Sequence, residues 1–242
     1  MKLIVDIGNT RVKAAVFKGD NLLELLVFDK EKIISEIKKN IKIKSISHVI
    51  LSNVASISLQ KIEQLQKMAT VMVVSSNLKI PFINLYQTPK TLGVDRIALV
   101  AAAVKQFANK NVLVIDAGTC ITFDFVNSNL EYLGGAISPG IKMRYKALQK
   151  FTANLPLLHS EKLDSFIGKN THESIISGVL NGVTNEIEGV ISQYEEKFSD
   201  LTIVLTGGDT NFLSKQLKSS IFANQNFLLQ GLNEILKLNT SK

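Results

Sequence analysis

Four short strings in the sequence combine carboxylates with small residues, and the first two are suited to holding phosphate. The first, Asp6-Ile7-Gly8-Asn9-Thr10-Arg11-Val12-Lys13, closes the apolar run KLIVDI (2–7). Glycine permits a tight turn and close approach of a ligand to the main chain. Main-chain N–H groups, with Asn9 and Thr10, can donate to phosphate oxygens, and Lys13 adds positive charge. Asp6, at the strand end, suits a cation or its waters. Taken alone, the string also reads as an ordinary Gly-Asn hairpin turn. The second string, Asp116-Ala117-Gly118-Thr119, again ends an apolar run with a carboxylate and a small turn, and leads into Cys120-Ile121-Thr122-Phe123-Asp124. Two such turns facing across a cleft would grip a triphosphate from both sides. Cys120 reads as a small apolar neighbour, since no base stands beside it in sequence to activate a thiol.

The third string, Thr206-Gly207-Gly208-Asp209, lies between an apolar strand and a helix. Its glycines would let a flat base or ribose approach the backbone, or they form a plain strand-to-helix loop. The fourth, Gly93-Val94-Asp95-Arg96, opens a helical pattern. A carboxylate in a first helical turn has an electrostatic role of its own. In company with the other three, the stronger reading makes Asp95 a base accepting a substrate hydroxyl's proton, with Arg96 holding an anionic group. Neither a G-x-x-x-x-G-K-[ST] loop nor a G-x-G-x-x-G fingerprint is present, so a nucleotide site here is not of the P-loop or dinucleotide type.

The elements that must position these strings repeat. KLIVDI (2–7), VKAAVF (12–17) and LLELLVF (22–28) form a predicted strand meander, and NVLVID (111–116), ITFDFV (121–126) and LEYLGGAI (130–137) repeat it. Asp6 and Asp116 occupy matching positions. Helical patterns at 30–40, 57–68, 94–107 and 172–198 alternate with strands at 48–54, 70–75 and 201–206, followed by helical segments to the end. Alternating strands and helices predict an α/β fold of two similar lobes, residues 1–110 and 111–242.

Composition narrows the classes. Hydrophobic residues make up 45% and charged residues 20%, as in a globular protein. No stretch reaches the ~18 apolar residues of a membrane span, and the opening apolar run is interrupted by Asp6, too early for a signal-peptide core. One cysteine and three histidines offer no zinc-type cluster. The expectation is a cytoplasmic protein with no membrane partner. The formal charge is +7, with many lysines between Lys30 and Lys44 interleaved with glutamates, as on a solvated helix face. No aromatic-and-basic stripe accompanies them, so nucleic acid is not expected as a partner.

In their order and wording, DIGNTRVK, GVDR, DAGTCITFD, GGAISPG and TGGD resemble the type III pantothenate kinase family, within the acetate/sugar-kinase, heat-shock and actin superfamily. That resemblance runs from Asp6 to about Asp209. It implies ribonuclease H-like lobes, an actin-like fold with an interlobe nucleotide cleft, and phosphorylation of pantothenate by ATP with Mg2+ at the first step of coenzyme A biosynthesis. It further implies that Asp6, Ile7, Gly8, Asn9, Thr10, Arg11, Val12 and Lys13 form the ATP phosphate loop, with Thr119 a second ATP contact. Asp95 would be the proton acceptor, and Tyr86, Gly93, Val94, Asp95, Arg96 and Thr171 would contact pantothenate. Asp116 would hold a monovalent cation, K+ or NH4+, in a homodimeric enzyme. Two other readings compete: a superfamily kinase of another small alcohol or acid, and a non-catalytic nucleotide-binding regulator.

Overall fold

The computed structural model describes residues 1–8, 11–42, 45–52, 58–75, 77–161 and 165–240. In chain order they begin with β1 (Lys2–Ile7), β2 (Val12–Lys18), β3 (Asn21–Phe28), α1 (Ile33–Asn40), β4 (His48–Leu51), α2 (Leu59–Gln66), β5 (Thr70–Val73), β6 (Ile83–Asn84) and α3 (Val94–Gln106). Then come β7 (Asn111–Ala117), β8 (Cys120–Val126), β9 (Glu131–Pro139), α4 (Ile141–Phe151), α5 (Thr171–Lys197), β10 (Leu201–Thr206), α6 (Thr210–Leu213), β11 (Phe222–Ala223) and α7 (Phe227–Thr240). Contacts divide the chain into two compact units, Met1–Ala108 with Leu130–Tyr132 and Asn226–Lys242, and Asn109–Asn129 with Leu133–Gln225. The segment from 226 onward thus groups with the first unit, whereas the sequence pattern had grouped it with the second half.

The first unit is built on a sheet ordered β3-β2-β1-β4-β5. β1 runs antiparallel to β2 and parallel to β4, and β4 runs parallel to β5. Ile33 and Ile37, one helical turn apart on α1, bury with Leu65 of α2 against Leu3, Val5, Val12 and Val49. Side chains alternate across a strand, so Ile4, Ala15 and Ile50 serve the opposite face. There α7 packs on β1 and β4, and α3 packs on α7. Helix α3 is buried continuously from Arg96 to Val104, which its run of small and branched apolar residues allows. A Cβ at Gly231 of α7 would lie 1.7 Å from the Ala98 carbonyl oxygen, so only glycine admits this helix pair at its present spacing.

The second unit's strands are ordered β11-β10-β7-β8-β9, which is the first unit's order met from the other edge. Here β7 is antiparallel to β8 and parallel to β10, and β10 is parallel to β11. Val112 to Ile115 are all buried, as a central strand between two covered faces requires. On one face Leu113, Ile115, Phe123 and Leu205 meet Ile141 and Tyr145 of α4 and a stripe along α5 comprising Ile176, Leu180, Val183, Ile187 and Ile191. Each unit therefore has the ribonuclease H-like arrangement that the family resemblance implies.

Several boundaries differ from the sequence expectation. β9 begins at Glu131 because Leu130 adopts a left-handed φ of 62°, which a strand cannot include. The strand expected over 48–54 ends at Leu51, and residues 53 and 54 lie outside the described residues. The helix expected over 57–68 spans Leu59–Gln66, and position 57 lies outside the described residues. Helix α4 was not expected at all, because only Ile141 and Tyr145 of its eleven residues are buried.

Candidate active site

In the first unit the antiparallel register pairs Asp6 with Lys13 and Ile7 with Val12, leaving the turn at 8–11. The Gly8 N–H donates to the Arg11 carbonyl at 3.1 Å and closes that turn. Ile7 and Val12 are fully buried in the sheet's core, so of the expected phosphate-loop residues these two can offer a ligand only main-chain groups. Asn9 and Thr10 lie outside the described residues. Arg11 is exposed, and Lys13 is half-buried.

Asp6 is anchored from β4. Ser52, just beyond that strand and 1% exposed, donates through Oγ to Asp6 Oδ1 at 2.6 Å and accepts from the Ile7 N–H at 3.1 Å. Burial pushes the Asp6 carboxyl above the usual carboxylate range, and the nearby Asp95 charge pushes the same way. The Ser52 hydrogen bond and the Lys13 charge oppose that rise without cancelling it.

Asp95 and Arg96 stand in the first turn of α3, whose N-cap is Gly93. The exposed Asp95 accepts from the Arg96 N–H through Oδ1 at 2.9 Å. A Cβ at Gly93 would fall 2.3 Å from that same oxygen, so the glycine leaves room for the carboxylate. Val94 is half-buried beside them. Arg96 is 6% exposed, and its guanidinium carbon sits 5.5 Å from the Tyr86 ring centre. The first unit thus brings together Asp6, Lys13, Tyr86, Gly93, Asp95 and Arg96.

The second unit repeats the scheme at Asp116, paired with Thr122 on β8 and Thr206 on β10. The Gly118 N–H closes its turn onto the Cys120 carbonyl at 2.9 Å, as Gly8 does in the first unit. Thr119 is exposed at the turn's tip, and its carbonyl accepts from the Gly140 N–H at 3.1 Å. Gly140 must be glycine, because a Cβ there would lie 2.2 Å from the Gly118 oxygen. The third string folds onto the same place. Gly207 has φ +97°, and a Cβ on it would lie 2.4 Å from Asp116 Oδ1 and 2.3 Å from the Ala117 oxygen. The Asp209 N–H donates to that Ala117 carbonyl at 3.0 Å. Burial raises the Asp209 carboxyl above its ordinary range, against the pull of Lys142. Asp124 is fully buried and accepts from Thr122 Oγ1 at 3.1 Å.

Thr171 enters on a different element, as the exposed first residue of α5. The cap of that helix is Asn170, whose side chain accepts from the Glu173 N–H at 2.9 Å, so Thr171 is not the capping residue. One participant, Ser52, was missed in the sequence, whereas Thr206 opens the third string. Ser52 and Thr206 are topological equivalents, buried hydroxyls beside the acid that ends each unit's first strand. A lone serine after an apolar run gives no signal, although the repeat could have prompted a search opposite Thr206.

The residues fit the groups that the resemblance implies. Around Asp116 the donors are hard oxygens, a carboxylate and main-chain carbonyls, which suit an alkali or ammonium ion. Among the described residues, no group of three or more His, Cys, Asp or Glu is assembled to cage a metal.

Two ribonuclease H-like units with a carboxylate at each first strand's end define the class: the chain has the fold of the acetate/sugar kinases and actin. Solved structures agree on the fold. A conserved protein from Campylobacter jejuni, provisionally assigned to the Baf family of transcriptional activators, matches with TM-score 0.63 and 22% identity over 97% of both chains. The inorganic polyphosphate/ATP-glucomannokinase of Arthrobacter sp. strain KM matches with TM-score 0.51 and 14% identity over 98% of this chain and 99% of that one. The model of the type III pantothenate kinase family matches residues 2–193. The type III pantothenate kinase of Christiangramia forsetii is 49% identical over 243 residues, covering 100% of both chains. That of Flavobacterium johnsoniae is 48% identical over 97% of this chain and 96% of its own. The chain belongs to the type III pantothenate kinase family.

Proposed function

We infer that the chain transfers the γ-phosphoryl group of ATP to the primary hydroxyl of pantothenate, yielding 4'-phosphopantothenate and ADP in the first step of coenzyme A biosynthesis. The observation that carries this reading is full-length similarity to kinases of that name, in a chain whose Asp95 carboxylate is exposed beside the buried Arg96. Asp95 accepts the hydroxyl proton as that oxygen bonds to the γ-phosphorus, and the bond to the bridging oxygen breaks with its electron pair leaving on ADP. Arg96 pairs with the pantothenate carboxylate, and Tyr86, Gly93, Val94 and Thr171 contact the rest of the acceptor.

Main-chain and side-chain donors between Asp6 and Lys13 hold the ATP phosphates, with Thr119 adding a contact. Asp6 would hold Mg2+ through its waters, and Asp116 would hold K+ or NH4+; these cations would neutralise phosphate charge. The same reading expects a cytoplasmic homodimer. Among the described residues, no helix is long and apolar enough to cross a membrane.

The test is a coupled assay of ADP release with pantothenate, run with and without potassium or ammonium. ATP-dependent turnover of pantothenate supports the reading. Turnover of other small alcohols but not pantothenate would assign a different acceptor. Nucleotide binding without phosphorylation under either cation would make the chain a regulator.

A further inference from the structure

Tyr132 lies in the third strand of the second meander, LEYLGGAI, two residues before GGAISPG, yet residues 130–132 group with the first unit. Its side chain is fully buried. Its ring stacks on Tyr86 at 6.1 Å between centroids and 25° between planes, and Phe82 meets it edge-on at 6.0 Å. The Arg96 guanidinium carbon lies 6.0 Å from the Tyr132 centroid and 5.5 Å from that of Tyr86. Together with the ring separation, these distances make a nearly equilateral triangle, so the guanidinium lies within cation–π range of both rings. The backbone reinforces the arrangement. β6 pairs Asn84 with Tyr132, the Leu85 N–H donates to the Tyr132 carbonyl at 3.0 Å, and the Asn84 side chain accepts from the Tyr86 N–H at 3.0 Å.

From this geometry we propose that Tyr132 is a positioning residue for the acceptor, setting the orientation of both Tyr86 and Arg96 through one buried ring. The inference rests on the pantothenate reading for the identity of the acceptor and on the structure alone for the contact. A planar guanidinium offers a flat face to aromatic rings while its edge stays available to a carboxylate. Pinning that face fixes the direction in which the edge points. Tyr132 touches neither substrate in this scheme, so its loss should weaken acceptor binding while leaving the phosphate grip alone. It was illegible in the sequence because an isolated tyrosine in a strand reads as core packing.

The test compares Tyr132→Phe, which keeps the ring, with Tyr132→Leu and Tyr132→Met, which do not. The expected result is a pantothenate KM within about threefold of wild type for Phe and raised about tenfold or more for the other two, the scale of a partly desolvated cation–π contact. The KM for ATP should move less than twofold in all three. Circular dichroism and thermal melting establish that each variant is folded, and methionine, which fills most of the volume flexibly, stands in if leucine does not fold. An unchanged pantothenate KM in the folded ringless variants overturns the proposal, as does an equal rise for ATP. A second readout is independent of activity: the Arg96 Nε–H resonance is expected to be ring-shifted in the wild type, to move toward the random-coil position in Tyr132→Met and to stay in Tyr132→Phe. A resonance indifferent to the ring also overturns the proposal. Wild-type protein that leaves pantothenate untouched but shows the ring shift would defeat the acceptor reading and spare the contact.

Discussion

Ser52 Oγ lies 2.6 Å from Asp6 Oδ1 and also accepts the Ile7 N–H, so one buried hydroxyl fixes both a carboxylate and the main chain beside it. Hydrogen bonding of this kind favours the charged form of the acid, in opposition to the burial that raises its pKa. Ser52→Ala should therefore raise the Asp6 carboxyl further. Activity that needs the Asp6 carboxylate is lost as pH falls through its folded value, which already lies above 3.8. The acid limb of the kcat/KM–pH profile should accordingly move to higher pH in Ser52→Ala, and an unmoved limb would detach Ser52 from the site. The stability effect has a definite sign. Between the ordinary and the raised value the folded state retains a proton that the unfolded state has released, so Asp6 erodes stability as pH rises through that window.

Asp95→Asn removes the proposed proton acceptor while preserving size and most hydrogen bonding. Turnover should fall about 100-fold or more, the range for loss of a general base, with ATP affinity nearly intact. Steady-state kinetics together with nucleotide titration measure both, and an unaltered kcat would dismiss Asp95 from the proton transfer.

Asp116→Asn should blunt the activation of turnover by potassium or ammonium. Gly207→Ala is a companion, because its Cβ would press on Asp116 Oδ1 and on the Ala117 oxygen and because φ +97° strains any L side chain. Both variants should flatten the curve of rate against cation concentration. Full activation in both would count against a cation at Asp116.

Glu188 provides a stability test away from the chemistry. Burial works to raise its pKa, but hydrogen bonds from the Ser219 hydroxyl and from the Lys218 and Ser219 N–H groups outweigh it, so the folded value is lowered. Its contribution is present above 4.5, the ordinary value, and is lost as pH falls through the lower folded value. Glu188→Gln should cost up to about 1 kcal/mol near neutral pH, because solvent screens this partly exposed carboxylate. The deficit should shrink on acidification in urea melts at graded pH, and a pH-independent deficit would refute the assignment.

The paired meanders were legible because each is a contiguous run of apolar residues closed by Asp and Gly, and local strings survive reading one residue at a time. The shared strand order follows from that repetition, although the placement of α7 does not. An amphipathic helix shows which side is apolar and not which sheet it will cover. Asp6 and Asp116 were visible by their matching positions, and Asp95 by its place at a helix start. Ser52 and Tyr132 were not, because their roles depend on partners 46 residues away in one case and brought in through β6 in the other. Helix α4 escaped because lysines and arginine cover most of its surface.

The glycine contact between α7 and α3 bears on how the protein is made. Chains leave the ribosome N-terminus first, and domains tend to fold as they emerge. Residues 109–225 can assemble nearly all of their unit while synthesis continues, but the first unit still lacks residues 226–240. Until then the α7-facing flank of α3, where Gly231 will settle against Ala98, has no cover. The half of the protein that is translated first is thus completed last, and its bare helix is the surface on which a chaperone would be most needed.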